Sequence, residues 1–190
     1  MKEQTRVIGF DDAPFSFGDQ CVLVVGVLMR LRGYIEAVLS TSARVDGTDA
    51  NEALEKCIMS SRYSEQPEAV MLDGASMGGF NVVDMEDLWK STGIPVISVT
   101  RTPPDMGSMK DALEKHFVDW EHRLALLEKN RLFTVDTGHN AVSASAWGIS
   151  EKRAKELIHS NTVMGALPEC IRLAHLIASG IARGESRGSA

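Results

Sequence analysis

Apolar runs of strand length, each broken off by a turn or a charge, decide which folds are open to this chain. Four such runs are rich in Val, Ile and Leu, and they occupy residues 6–10, 21–31, 68–74 and 94–100. The longest continuous apolar stretch, Val22 to Met29, is far shorter than the roughly 20 residues that a membrane helix needs. We therefore expect strands of a buried sheet and no membrane contact.

The order of these runs predicts the topology. Two stretches on either side of Gly33 (21–31 and 34–45) suit an antiparallel hairpin. Downstream we predict a helix from Thr48 or Asp49, a strand at 68–74, a helix at 84–92, a strand at 94–100, a long helix from about Met109 to Lys129, edge strands at 132–136 and 141–147, and helices at 150–160 and 168–183. This α/β pattern predicts a mixed sheet, with antiparallel hairpin strands plus parallel strands, flanked by helices. No linker-like segment divides the chain, so residues 1–190 are expected to form a single domain.

Charge and cysteine usage narrow the function classes. The net charge of −6 disfavours a protein that coats nucleic acid non-specifically, because phosphate contacts depend on Lys and Arg. A local basic groove is still compatible with this charge. The residues that could form it are Arg30, Arg32, Arg101, Lys152, Arg153, Lys155, Arg183 and Arg187. The three cysteines are widely spaced in apolar stretches, which predicts buried free thiols. Together with the polar start of the chain, this predicts a cytoplasmic protein.

Three carboxylates follow strand-like runs directly. Asp11 follows Val-Ile-Gly-Phe, Asp46 follows Ser-Ala-Arg-Val, and Asp73 follows Val-Met-Leu. In open α/β sheets the carboxyl ends of strands border a crevice, so these side chains can converge there. Converging carboxylates repel one another unless a cation lies between them, and oxygen ligands favour Mg²⁺ or Mn²⁺ over zinc. Such a metal site suits phosphoryl chemistry.

The role of Asp12 and a simpler turn interpretation also have to be considered for this acidic cluster. Asp12 neighbours Asp11 on a strand, so their side chains should point to opposite faces, and we assign Asp12 a turn or supporting role. The pairs Asp46-Gly47 and Asp73-Gly74 are also ordinary turn signals.

Four stretches are together specific enough to suggest a family. They read V-I-G-F-D-D, A-R-V-D-G-T-D-A, V-M-L-D-G followed by G-G-F-N-V-V-D, and L-P-E-C-I-R-L-A-H-L-I-A. The chain resembles an uncharacterised, largely archaeal family catalogued as domain of unknown function ninety-nine. That family is remotely similar to endonuclease V, a magnesium-dependent, ribonuclease H-like enzyme that cuts near deaminated adenine. The resemblance implies a ribonuclease H-like fold.

The resemblance also implies a metal site. Asp11 and Asp73 match the endonuclease's first and last aspartates, each in its motif. Asp46 matches its intervening glutamate best, with a side chain one methylene shorter. The interval before Asp46 is longer than in the endonuclease, so Asp49 and Glu52 remain alternatives for this middle ligand.

Two further site residues come from the resemblance. Arg101 stands where the endonuclease has a lysine, and His175 on the closing helix becomes a candidate metal neighbour or proton carrier. The endonuclease's strand-separating wedge, Tyr-x-Pro-Gly, is replaced by Tyr34-Ile35-Glu36-Ala37. These features predict a magnesium-dependent nuclease for nucleic acid, with single-stranded RNA or DNA favoured over duplex. The alternative is a non-catalytic nucleic-acid- or protein-binding member of the same fold.

Overall fold

The computed structural model describes residues 4–16, 18–31 and 33–186. Arg32 and Arg187 of the predicted basic groove therefore lie outside the described residues. The strands in these ranges are β1 (Arg6–Asp12), β2 (Cys21–Arg30), β3 (Tyr34–Arg44), β4 (Ala69–Asp73), β5 (Ser76–Met77), β6 (Asn81–Val82), β7 (Val96–Thr100), β8 (Phe133–Asp136) and β9 (Ala141–Trp147). The helices are α1 (Ala50–Met59), α2 (Met85–Thr92), α3 (Met106–His116), α4 (Trp120–Glu128), α5 (Glu151–Asn161) and α6 (Glu169–Arg183). None of these helices is long and apolar enough to cross a membrane.

Seven of the described strands form one mixed sheet in the order β3-β2-β1-β4-β7-β9-β8. The hairpin strands β2 and β3 are antiparallel, and β1 runs antiparallel to β2. On its other side β1 pairs in parallel with β4, which pairs in parallel with β7. The predicted mixed sheet is confirmed, and its topology places the carboxyl ends of β1 and β4 side by side.

Helices cover both faces of this sheet. Leu54 of α1 and Leu88 of α2 join Phe10 of β1 in one buried cluster. Ile171 of α6 joins Met71 of β4 in a second buried cluster, which also includes the inner side of α5. These apolar side chains follow the strand and helix periodicities that the sequence shows.

Gly9 lets α6 approach β1 more closely than any side chain would allow. A Cβ atom at Gly9 would lie 2.5 Å from the backbone carbon of Cys170 and 2.6 Å from the nitrogen of Ile171. Asp11 lies two residues further along β1 on the same face, and His175 lies one turn further along α6. The close contact therefore brings Asp11 and His175 together.

The predicted helix from Met109 to Lys129 is wrong, because two helices occupy this region. Phe117 is extended, with φ −128° and ψ 131°, between the end of α3 and the start of α4. Its ring packs edge-on against Phe80, at 5.6 Å between centroids, and under the guanidinium of Arg123, at 4.4 Å. These tertiary contacts outweigh the continuous helical pattern.

Three smaller expectations also need correction. Of the three cysteines expected to be buried, Cys170 is buried, Cys57 is partly buried and Cys21 is exposed. The strand at 141–147 is β9, which lies between β7 and β8 and is therefore not an edge strand. The short antiparallel hairpin of β5 and β6, which we call the 76–82 hairpin, was not predicted. Its strands have two residues each, too few to show an alternating pattern.

Candidate metal and nucleic-acid site

Asp11 and Asp73 lie at the carboxyl ends of neighbouring parallel strands. Asp11 is the penultimate residue of β1 and is 6% exposed, and Asp73 is the last residue of β4. Both line an open cleft of about 450 Å³, together with Asp12 and His175. The predicted convergence of these two aspartates is therefore seen in the structure.

Burial disfavours the charged form of these carboxylates. Burial, followed by repulsion from Asp73 and Asp12, raises the pKa of Asp11 to about 8, although a hydrogen bond from the Asp12 N–H and the charge of Arg101 lower it in part. Burial also raises the pKa of Asp73, against the lowering effects of Arg101 and His175. A cleft that raises the pKa of its acids in this way favours a bound cation.

Asp12 belongs to the same cleft, which the sequence analysis missed. Burial raises its pKa to about 6, partly offset by a hydrogen bond from the Gly78 N–H, and Asp73 adds repulsion. Asp12 does point away from Asp11 along the strand, but β1 ends here, so both side chains border the same opening. The signal in the sequence was the consecutive pair of acids at a strand end.

His175 makes a direct contact with this cluster. Its Nδ1 lies 2.8 Å from Oδ2 of Asp11, and its side chain is one-quarter exposed. The hydrogen bond fixes the orientation of the imidazole ring at the rim of the cleft. The sequence pointed to His175 through the family resemblance alone.

Positive charge reaches the cleft from two sides. Arg101 directly follows β7 and is close enough to lower the pKa values of Asp11 and Asp73. Arg183, at the end of α6, lines the cleft itself. Other members of the predicted basic groove are paired elsewhere: Arg30 with Glu36, Arg153 with Glu68 and Lys155 with Glu151.

Asp46 has a different environment from Asp11 and Asp73. It adopts a left-handed conformation with φ 54° in the turn after β3. Its N–H donates to the Gly78 carbonyl at 2.8 Å, and its Oδ1 accepts from the Phe80 N–H at 2.8 Å. Asp46 is not among the residues lining the cleft. Its role as a metal ligand stays a prediction, and the structure shows the turn that Asp-Gly also signals.

The two alternative middle ligands lie outside the cleft as well. Asp49 accepts from the Arg44 N–H at 3.0 Å and from the Asn81 side-chain amide at 2.7 Å. Glu52 is exposed in the first turn of α1. Neither residue lines the cleft that contains Asp11 and Asp73.

The segment Tyr34–Ala37 lies far from this cleft. Tyr34 pairs with Arg30, which pairs with Arg6 at the beginning of β1, whereas Asp11 and Asp12 are at its end. At about 3.3 Å per residue, the separation along the sheet is on the order of 20 Å. In this chain the segment therefore cannot act as a wedge beside the carboxylates.

The donor chemistry of the cleft fits a hard cation, although the site is not preformed. Within the described ranges, no three His, Cys, Asp or Glu side chains are close enough together to enclose a metal ion. Asp11, Asp12 and Asp73 nevertheless share one cleft and offer only oxygen ligands. These three carboxylates, of which Asp11 is buried and the other two are partly buried, match the preference of Mg²⁺ or Mn²⁺ for oxygen ligands.

An apolar pocket of about 330 Å³ adjoins the carboxylate cleft. Ser76 lines both cavities, and Gly74, Met106, Met109 and Leu127 contribute to the pocket's wall. The hydroxyl groups of Ser98 and Ser145, 2.8 Å apart, also line it. The pocket's size and its mixture of apolar wall and few polar groups suit a flat heterocycle.

Comparisons with known proteins find relatives that match nearly the whole chain. A UPF0215 protein of the archaeon Methanothermobacter thermautotrophicus is 42% identical over 192 residues, covering 100% of this chain and 94% of its own. A crystal structure of a protein of unknown function from Archaeoglobus fulgidus superposes with a TM-score of 0.83 at 32% identity, covering 93% of this chain and 98% of that one.

More distant structures identify the fold. Endonuclease V from Ciona intestinalis, in complex with a 24mer DNA containing an inosine followed by a ribo-adenosine, has a TM-score of 0.60 at 14% identity, covering 90% of this chain and 82% of that one. The predicted ribonuclease H-like fold is thereby confirmed. The sequence profile of the family described as endonuclease dU matches residues 3–182. The chain belongs to the endonuclease dU family.

Proposed function

We propose that this protein is a Mg²⁺- or Mn²⁺-dependent endonuclease that cuts single-stranded nucleic acid. The observation that carries the proposal is the carboxylate pair formed by the buried Asp11 and the partly buried Asp73, at adjacent parallel strand ends facing one open cleft. Net repulsion in a desolvated site is costly unless a cation or a proton compensates it. The endonuclease V-like fold and the family membership support nuclease chemistry.

The charged and titratable residues in and beside the cleft each have a role in this proposal. Asp11, Asp12 and Asp73 hold the metal ion, with Asp12 in place of Asp46 as the third carboxylate. A metal ion held there would supply Lewis-acid activation of water and would stabilise charge on the phosphate. His175, whose Nδ1 lies 2.8 Å from Asp11, is the proton carrier at the rim of the cleft, while Arg101 and Arg183 bind the phosphate.

The adjoining pocket supports a single strand as the substrate. A base can enter a pocket beside the cleft only when it is unstacked, which costs least in a strand that is not paired. The remote position of Tyr34–Ala37 removes the segment that would open a duplex. The family name, endonuclease dU, makes a strand containing deoxyuridine the first substrate to test.

The test is cleavage of end-labelled oligonucleotides in Mg²⁺ or Mn²⁺. Single strands of RNA and DNA, with deoxyuridine, inosine or ordinary bases, are compared with the matching duplexes. We expect metal-dependent cutting of a single strand, and a loss of at least about 100-fold in Asp73→Asn, because the metal is poorly held. An exposed-site control, Asp111→Asn on α3, should cut like the wild type. Equal cutting by Asp73→Asn would contradict the proposal.

A second candidate function is a binding protein without turnover. The observation that favours it is the absence, within the described ranges, of a preformed group of three metal-ligating side chains. In that case oligonucleotides should bind, but no labelled strand should be shortened in Mg²⁺ or Mn²⁺. The same set of oligonucleotides, analysed for binding by fluorescence anisotropy, separates the two functions.

A further inference from the structure

The 76–82 hairpin forms a wall shared by the carboxylate cleft and the apolar pocket. Ser76 lines both cavities, and Gly79 lines the carboxylate cleft. The position of this hairpin therefore fixes the shape of both cavities where they meet.

Buried polar contacts that do not involve Asp46 anchor Phe80 and Asn81 of the hairpin. The fully buried Asn81 donates to the Arg44 carbonyl at 2.9 Å and accepts from the Ala50 N–H at 3.0 Å. Arg123 donates to the Phe80 carbonyl at 2.5 Å and to the Gly47 carbonyl at 2.8 Å. These bonds do not involve the Asp46 side chain, so they remain when that side chain is replaced.

Asp46 makes two hydrogen bonds to the tip of the hairpin, residues 78–80. Its N–H donates to the Gly78 carbonyl, and its Oδ1 accepts from the Phe80 N–H, each at 2.8 Å. Gly79, with φ 85°, lies so close that a Cβ atom there would overlap Asp46 Oδ1. Gly79 and Asp12 line the same cleft. The tip that Asp46 contacts is therefore part of the wall beside Asp12.

We propose that Asp46 is a positioning residue, whose carboxylate holds the tip of the 76–82 hairpin so that Gly79 keeps its place in the wall of the carboxylate cleft beside Asp12. A carboxylate that accepts a backbone N–H at 2.8 Å is a strong acceptor, and its φ of 54° suits Asp, Asn or Gly. The inference rests on the proposed function only in treating Asp12 as a ligand. The hairpin contact stands without it.

Two variants separate positioning from metal ligation. Asp46→Asn keeps a side-chain oxygen acceptor for the Phe80 N–H but removes the charge that a metal ligand needs. Asp46→Gly removes the acceptor without straining the left-handed backbone. Asp12→Asn is the comparison that removes a proposed ligand. Circular dichroism melts establish that each variant is folded.

Two readouts, neither of which requires cleavage, are measured on these variants. Hydrogen exchange reports the Phe80 amide, and Mn²⁺ titration by electron paramagnetic resonance reports metal affinity. In Asp46→Asn we expect both to stay within about threefold of the wild type, because a neutral acceptor retains most of the bond. In Asp46→Gly we expect Phe80 protection and Mn²⁺ affinity each to fall by about tenfold.

Distinct results would overturn the inference. Equal loss of Mn²⁺ affinity in Asp46→Asn and Asp12→Asn, with the Phe80 amide still protected, would make Asp46 a ligand. An unchanged Phe80 amide in Asp46→Gly would show that Asp46 does not hold the hairpin. If the wild type bound no Mn²⁺, the proposed function would fail, and the exchange measurement would still decide the positioning role.

Discussion

Burial controls the protonation of the cleft at the scale of single residues. The pKa values of Asp11, Asp12 and Asp73 are all raised, with burial as the largest cause of each. Arg101 and His175 offset only part of this effect on Asp73. The metal-free protein therefore keeps protons that a bound cation would displace, so metal binding should release protons near neutral pH.

This predicts how stability depends on pH without metal. Between the unfolded pKa of about 4 and the folded values of about 6 and 8, the folded state holds more protons than the unfolded state. The free energy of unfolding should therefore fall as pH rises from about 5 to about 8. Urea denaturation in a chelator, across this range, measures the slope.

The matched variants identify the residue responsible. Asp11→Asn should flatten the slope, because its side chain no longer titrates, whereas the exposed Asp111→Asn should not. A wild-type stability that rises between pH 5 and pH 8 would contradict the assigned burial of these acids.

The sequence predicted some of the acidic residues of the site and missed others, for physical reasons. Asp11 and Asp73 were predictable because each ends an apolar strand and the two strands are parallel neighbours. Asp12 was not, because side-chain alternation does not separate two faces where the sheet stops. For Asp46 the sequence predicted the backbone but not the contact. The Asp-Gly pair signals the turn that is observed, whereas the hydrogen-bond partner, Phe80, lies 34 positions further along the chain, where no local pattern indicates it.

At the scale of elements, the contact between β1 and α6 places the site. Gly9 allows the two backbones to meet, and this contact sets His175 beside Asp11. Sequence periodicity predicted both elements at nearly their observed bounds. Periodicity could not predict the distance between β1 and α6. That distance depends on the contact between Gly9 and Cys170, which are 161 residues apart in the chain.

Gly9→Ala tests this contact. We expect a destabilisation of about 1–3 kcal/mol, because the added carbon overlaps the α6 backbone and the helix must shift. The shift should also weaken Mn²⁺ binding by moving His175 away from Asp11. Urea denaturation and Mn²⁺ titration measure the two effects.

Gly180→Ala on the same helix is the control. The nearest atom to a Cβ there is 4.0 Å away, and alanine favours a helix over glycine by about 1 kcal/mol, so this variant should be as stable as the wild type or more stable. Equal effects of the two substitutions would mean that the close approach at Gly9 is not what positions α6.

At the scale of the whole molecule, one sheet contains strands that lie far apart in the sequence. β1, near the start of the chain, lies between β2 and β4, while β9 comes from residues 141–147 and pairs with β7. Helices from the middle and the end of the chain cover this sheet on both faces. The sequence predicted this mixed architecture because strand and helix periodicities are strong here. It missed the break between α3 and α4, which tertiary contacts of Phe117 impose.

This continuity predicts that residues 1–190 unfold as a single domain. Tryptophan fluorescence and far-ultraviolet circular dichroism should give coincident urea transitions. Leu157→Ala, in the buried face of α5, should shift both by the same amount, about 2–5 kcal/mol. Two separate transitions, with only one shifted by the substitution, would show that the chain contains two independent units.

The central claim, that Asp11, Asp12 and Asp73 hold a divalent metal, is tested most directly by anomalous diffraction from crystals soaked in Mn²⁺. The account predicts an anomalous peak in the cleft, within ligand distance of these three carboxylates and absent from Asp73→Asn crystals. A Mn²⁺ ion ligated by Asp46, or crystals with no peak in the cleft at saturating Mn²⁺, would contradict it.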